Sequence, residues 1–429
     1  MKIKKILITA ITIIANVVIT QAQNVNIPDT IFKSALVNNA SINTNMDTEI
    51  QLAEAAAYYG DMYLSGLGIT DLTGIEAFSE LTSLYCHNNQ LTSLDLTGAV
   101  SLTSLYCPNN QLTSITLTGA ASLYYLYCKN NLLTSIDLTG AQGLTYLYCQ
   151  NNLLTSLNLT GASVLIYLYC QNNLLTSLDL TGASVLNFLY CQNNLLTSLN
   201  LTEGSAITTL NCESNQLTTL TLSAATGLDK LDCSYNLLTS IDVSNNINLG
   251  YFWCNNNLLT SLDVTNNVNL GRLYCYNNQL AYLNLSNAVL FIFCFNNQLT
   301  SLNLKNHIYF GFLNAENNLN LSCIEVDDPI TSSLYWSYSI PSSTYFTENC
   351  EATGIDNTPI DNTLMAYPNP TTGSIYLSEP ANITLSDLSG KLLLEQKNTN
   401  QLDISGFPAG MYFLHFGENN QQIVKVIKE

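Results

Sequence analysis

Charge is scarce in this 429-residue sequence and positive charge scarcer still: only 10% of residues are charged, with 31 Asp and Glu against 12 Lys and Arg, a formal net charge of −19. Phosphate backbones and anionic headgroups repel such a chain, which excludes nucleic acid as a partner. Three histidines, at 87, 307 and 415, are too few and too scattered for a catalytic or metal constellation, and no G-x-S-x-G, H-E-x-x-H, C-x-x-C or phosphate-loop pattern occurs. His87 follows Cys86 directly, but strand alternation sends the two side chains to opposite faces, so they cannot act as nucleophile and base. An enzyme is not expected. Beyond the N-terminus no apolar run approaches the roughly 18 residues of a spanning helix. The run from Ile6 to Ile19 is also too short; behind Lys2, Lys4 and Lys5 and ahead of Thr20-Gln21-Ala22, it predicts a signal peptide over residues 1–22. The expectation is an exported chain with no stable membrane span.

What the sequence has in plenty is one 21-residue unit. Cysteine recurs at 86, 107, 128, 149, 170, 191, 212, 233, 254 and 275, then at 294 after a two-residue deletion, and Ala315 takes the slot once more. Around it runs L-x-x-L-x-C-x-x-N-x-L, as in Leu81, Leu84, Cys86, Asn89 and Leu91, followed by a second extended segment through Leu94 and Leu96. Period-2 alternation points Leu84 and Cys86 inward and Tyr85 outward, with N-N and T-G-A as turns. One coil cannot bury its own leucines, so coils must stack, their strands pairing in parallel at about 4.8 Å. The asparagine column from Asn89 to Asn297 turns inward, where its amides can satisfy buried backbone groups of neighbouring coils.

The cysteine column has three candidate roles: inert core thiols, a disulfide zipper or a soft-metal chain. In-register Cβ atoms near 4.8 Å lie beyond the roughly 3.5 to 4.5 Å of a disulfide, and eleven is odd, so packing as small hydrophobes is the expectation. Cys323 and Cys350 stand outside the rhythm, and in an exported protein they are expected to close a capping loop as a disulfide.

These units resemble a leucine-rich repeat, in the 21-residue cysteine-ladder form of internalin-type bacterial surface proteins. The resemblance implies a solenoid whose asparagine-motif strands line the concave side, and a role in adhesion or protein binding. The fold expected is mainly β: a leucine-rich-repeat solenoid with a small helical N-terminal cap and a C-terminal β-sandwich.

If packing dictates the inward residues, function belongs to the outward ones. Tyr85, Tyr106, Tyr127, Tyr148, Tyr169 and Tyr190 form one column, broken by Asn211 and Asp232 and resumed by Trp253, Tyr274 and Phe293; Tyr125, Tyr146, Tyr167, Phe188, Tyr251 and Phe291 form its neighbour. A contiguous aromatic surface of this length exceeds what monomers usually expose and predicts a ligand-binding face. Lys129, Gln150, Gln171 and Gln192 rim it, while Asp95, Asp137, Asp179, Asp242 and Asp263 on the opposite side are expected to be solvated. The expected ligand is a protein or a glycan; the alternative is a self-associating surface component using the same stripe.

Organisation follows the composition: signal peptide 1–22, helical cap 23–60, solenoid 61–325, capping loop 326–350, linker 351–362 and a terminal domain 363–429. Helical spacing in Ile31, Phe32, Ala35 and Leu36 suits a cap over the first leucine layer. Asn43, Asn45, Asp47 and Glu54 occupy the spacing of a calcium loop, degraded by Asn at its first position and Thr48 at the turn; no cofactor is expected beyond weak calcium there. In the terminal domain, Pro368, Asn369, Pro370 and Gly373, then Asp387 and Gly390, then Gly410 and Tyr412 in "GFPAGMY" closely resemble the C-terminal sorting domain of the type IX (Por) secretion system of Bacteroidetes. That resemblance implies the secretion machinery as a partner, removal of the tail, and release or surface attachment.

Overall fold

The computed structural model describes residues 23–201, 206–307, 311–350, 366–368, 370–388, 390–416 and 422–429. The predicted signal peptide, the linker 351–362 and Asn369 lie outside the described residues. The chain divides into two compact units, Met1–Cys350 and Glu351–Glu429.

The first unit is a solenoid built on one 13-stranded parallel sheet, a strand per coil from Gly60–Tyr63 through Leu81–Tyr85 to Phe312–Asn314. Register follows the sequence period: Leu84 pairs with Leu105 and Leu105 with Leu126, while Tyr85 pairs with Tyr106 and Tyr106 with Tyr127. Leu84, Cys86, Leu91 and Leu96 are fully buried, and their equivalents recur in every coil as one continuous core. Each buried leucine contributes roughly 1.5 to 3 kcal/mol, available only because a neighbouring coil covers it. The second extended segment is less regular than its spacing predicts. It forms sheets only in groups, such as Ser93–Asp95 with Ser114–Thr116 and Ser301–Asn303 with Cys323–Glu325 and Tyr345–Thr347; coils between share no more than the single bridge Asp137 to Asn158.

Both asparagines of each N-N turn have a task. The second is buried: Asn173 donates through Nδ2 to Cys149 O (3.1 Å) and Cys170 O (3.0 Å), and its Oδ1 accepts from Leu154 N at 3.0 Å. The first takes the left-handed backbone that asparagine tolerates, with φ near +56° at Asn88, Asn172 and Asn193. Its amides form a second, exposed ladder, Asn151 to Asn130 at 2.6 Å and Asn172 to Asn151 at 2.7 Å.

At the N-terminal end, helix α1 (Thr30–Val37) is capped by Asp29, which accepts from Ile31 N and Phe32 N at 2.9 Å and through its other oxygen from Thr70 N at 2.8 Å. One carboxylate thus starts the helix and pins it to the first coil. Phe32 and Leu36 enter the core, whereas Ile31, expected among them, is 44% exposed. Helix α2 (Leu52–Ala57) follows. At the other end, residues 326–350 are more than a loop: Asp328 caps helix α3 (Pro329–Trp336), and Tyr345–Thr347 adds a last parallel strand. Cys323 and Cys350 are joined by a disulfide with Cα atoms 5.7 Å apart, tying down this cap.

The second unit is a five-stranded antiparallel sheet. One long bulged strand, Ser374–Ser386, forms the middle of the sheet, and its neighbour runs from Leu392 to Asp403. Ile375, Leu377, Ile383, Leu385, Leu402, Leu414 and Val426 are buried together, so the sheet folds over a shared apolar side.

Candidate functional site: an aromatic sheet face

The outward columns of the large sheet lie where alternation places them. Tyr85, Tyr106, Tyr127, Tyr148, Tyr169 and Tyr190 stack ring on ring, joined at the start by Tyr63, with centroids 4.0 to 4.9 Å apart and planes within 20°. Tyr125, Tyr146, Tyr167 and Phe188 form a parallel stack at 4.4 to 4.6 Å. The first column resumes as Trp253, Tyr274 and Phe293, at 5.6 and 4.7 Å. Stacking covers the ring faces and leaves edges and hydroxyls toward solvent, so the rings are half-buried. Burial and neighbouring phenols raise the pKa of Tyr146 to about 12, so its hydroxyl remains a neutral donor at physiological pH.

Two contributors escaped the sequence analysis because they are not aromatic. Arg272, the only arginine in the chain, lies 5.1 Å from the Phe291 ring and 5.7 Å from that of Tyr251, and Lys230 lies 5.5 Å from Tyr251. Strand register was the missing signal: Lys230, Tyr251, Arg272 and Phe291 are successive partners in one outward column, where cations bridge between rings.

All eleven ladder thiols are free and buried. Burial pushes Cys86, Cys128, Cys170 and Cys294 up to about 12 and the others well above the ordinary thiol value, and Cys107 and Cys149 donate to the next coil's carbonyl, Tyr127 O and Tyr169 O, at 3.4 Å. The thiolate that alkylation, oxidation or metal binding requires is therefore suppressed. Native protein at pH 8 is expected to take up no iodoacetamide, unreduced denatured protein eleven equivalents, and reduced denatured protein thirteen. Mass spectrometry reads each count; nine or fewer in the second sample would mean that ladder cysteines pair.

The four residues spaced like a calcium loop are brought together, their carboxylates held by protein hydrogen bonds and Asn43 Oδ1 buried without a partner. Glu54 accepts from Thr44 N and Oγ1 and from Asn45 N through one oxygen and from Gln51 N through the other; desolvation opposes its ionisation, yet these bonds together hold its pKa below the usual value. Asp47 accepts from Glu49 N, Asn45 Nδ2 and Gln51 Nε2, and Asn43 directs its amide protons at Val37 O and Asp47 O. Carboxylate oxygens that would face an ion already hold protein hydrogens, and among the described residues no three acidic, imidazole or thiol groups converge. The aspartates of the opposite side are likewise more than solvated. Asp95, Asp179, Asp242 and Asp263 each accept the backbone N–H two residues on at 2.9 Å, closing the turn after the second segment.

In the terminal unit the motif residues form corners. Asp387 and Gly390 make a hairpin turn, with Gly390 at φ +79° donating to Asp387 O at 3.0 Å and Lys391 N donating to Asp387 Oδ1 at 3.0 Å. A Cβ on Gly373 would meet Ser405 Cβ at 3.1 Å, and buried Tyr412 donates its hydroxyl to Pro408 O at 2.7 Å. Pro368 and Pro370 are exposed; the turn glycine Gly410 begins the strand Gly410–Phe416.

Together these features define a mainly β, cysteine-laddered leucine-rich-repeat solenoid followed by a sorting domain. Residues 365–429 match the family described as the secretion system C-terminal sorting domain, which assigns the chain to type IX secretion and to the cell surface or the extracellular medium. Among solved structures, the chain is similar to the functional domain of InlJ from Listeria monocytogenes, which includes a cysteine ladder (24% identity, 95% of this chain and 98% of that one, TM-score 0.44). It is also similar to the internalin InlF from Listeria monocytogenes (20% identity, 63% and 93%, TM-score 0.44) and to YopM from Yersinia enterocolitica (23% identity, 67% and 63%, TM-score 0.47). No curated protein matches in sequence. Among the described residues, no helix is long and apolar enough to cross a membrane.

Proposed function

We propose that this chain is a secreted or cell-surface recognition module, not an enzyme, that binds a protein ligand on its aromatic sheet face. The observation that carries this reading is the unbroken run of seven stacked tyrosines from Tyr63 to Tyr190, flanked by the second stack. Such a surface offers rigid apolar area with a hydroxyl on every ring, at little cost in side-chain entropy, which is the chemistry of protein interfaces. A glycan is the poorer ligand, because sugar rings pack on open aromatic faces and here neighbouring rings cover most of them. The histidines support no hydrolytic alternative: His87 pairs with Ser65 at 2.9 Å and His415 with Ser386 at 2.8 Å, far apart in sequence and in separate units.

Replacing Tyr127, Tyr148 and Tyr169 together by Ser removes the centre of the stack and leaves the buried leucines untouched. Binding to a cross-linked extracellular partner is expected to weaken by about 10-fold or more, as for loss of central aromatic anchors, in a variant whose melting midpoint falls with the lost stacking but stays above the assay temperature. Sedimentation of the wild-type chain is expected to show a monomer. Concentration-dependent assembly that the triple variant abolishes would instead make the stripe a self-association surface.

A further inference from the structure

The two coils that interrupt the tyrosine column differ from their neighbours at the outward positions of the sheet strand and just after it, while keeping the inward ones. Leu210, Cys212, Leu231 and Cys233 are buried like all their equivalents. Outward, Thr209 and Lys230 follow Phe188, Asn211 and Asp232 follow Tyr190, and Glu213 and Ser234 follow Gln192. Even the exposed asparagine ladder stops there, at Ser214 and Tyr235, and leaves Asn256 Nδ2 at its rim buried without an acceptor. A constraint on packing alone would not alter the surface of two adjacent coils and spare their core.

The result is a polar notch across the sheet face. The Tyr190 stack ends on one side and the Trp253 stack, with Tyr251 beside it, begins on the other, three strand spacings or roughly 14 Å apart, and among the described residues no ring contact spans the gap. Its floor carries two carboxylates. Asp232 is part-buried and accepts from Ser234 N at 3.0 Å and Ser234 Oγ at 2.6 Å. Glu213 lies on the preceding coil, close enough for the charge of Asp232 to act on it. Lys230 shares the strand and face of Asp232, but its ammonium lies over the Tyr251 ring at 5.5 Å, and the ion pair among the described residues is Lys33–Glu49. Desolvation first, and for Glu213 the neighbouring charge second, raise both carboxyl pKa values.

We propose that this notch receives a basic side chain, arginine or lysine, of the bound protein, with Glu213 and Asp232 as its counter-charges and the Tyr190 and Trp253 rings beside its stem. Charge complementarity selects this occupant: two carboxylates that make no ion pair among the described residues, beside rings that attract cations. The inference rests on the protein-binding reading and specifies what that partner must present.

The test is selection of random 12-residue peptides displayed on phage against the full chain and against a chain carrying Asp232→Asn and Glu213→Gln, with melting midpoints as the folding control. Wild-type protein is expected to enrich peptides with one basic residue at a fixed position among apolar ones, and the double variant to lose that preference. Replacing the basic residue of an enriched peptide by citrulline or norleucine should weaken binding to wild type about 10-fold, and binding to the double variant hardly at all. Enrichment without a basic position, or with the same one in the double variant, overturns the notch and leaves protein binding standing. A wild-type chain that enriches nothing overturns both.

Discussion

Asn173→Leu is expected to destabilise the solenoid by about 2 to 6 kcal/mol. The substitution orphans one buried backbone group, Leu154 N, and removes one of the two asparagine donors from each of Cys149 O and Cys170 O, which Asn152 and Asn194 continue to hold. The unsatisfied buried N–H costs roughly 1 to 3 kcal/mol and each of the two lost carbonyl bonds roughly 0.5 to 1.5 kcal/mol. Leucine is close in size, so packing alone would predict a mild effect. Because coils contact only their neighbours, a break at a central coil should also split unfolding into two steps. Asn172→Gly is the comparison: it keeps the left-handed turn and removes one exposed bond to Asn151, so it should cost within about 0.5 kcal/mol. Urea denaturation of both variants measures the difference, and equal midpoints would mean that the inner ladder does not hold the coils.

Deletion from Tyr367 onward is expected to abolish appearance of the protein outside the cell while leaving the solenoid folded in the periplasm. The tail has its own core, with Leu402 and Leu414 fully buried, and forms a compact unit separate from the repeats. The disulfide that closes the solenoid lies before it, at Cys323 and Cys350. Leu414→Asp should do the same without shortening the chain, since a charge buried in a small sheet unfolds it. Immunoblots of periplasm and medium decide: undiminished export of the deleted chain would sink the assignment, and export of the Leu414→Asp chain alone would mean that a linear motif suffices.

How much of this was legible beforehand varies by element. The 21-residue period determined the stacked coils, and alternation determined that Leu84 and Cys86 face the core and Tyr85 the solvent, because a strand has only two faces and one must be dry. The inner asparagine was legible too, from its fixed place after the cysteine. The second segment was over-read: its leucines bury whether or not its backbone pairs, so the spacing carries no information about hydrogen bonds. The segment from 326 to 350 hid a helix because Asp328 and Pro329 signal its start while no apolar periodicity follows.

The calcium-like spacing shows the opposite failure. Ligand intervals specify which side chains can meet but not what they meet, and Thr44, Gln51 and backbone N–H groups reached the Glu54 and Asp47 oxygens. By itself the sequence determined the repeat, the buried ladders and the tail, since local periodicity and burial suffice for those. Tertiary structure alone decided that the tyrosines cover one another's faces, that Lys230 and Arg272 bridge rings, and that substitutions scattered from Thr209 to Tyr235 meet in one notch. Residues 21 apart become neighbours about 4.8 Å apart only when the coils stack.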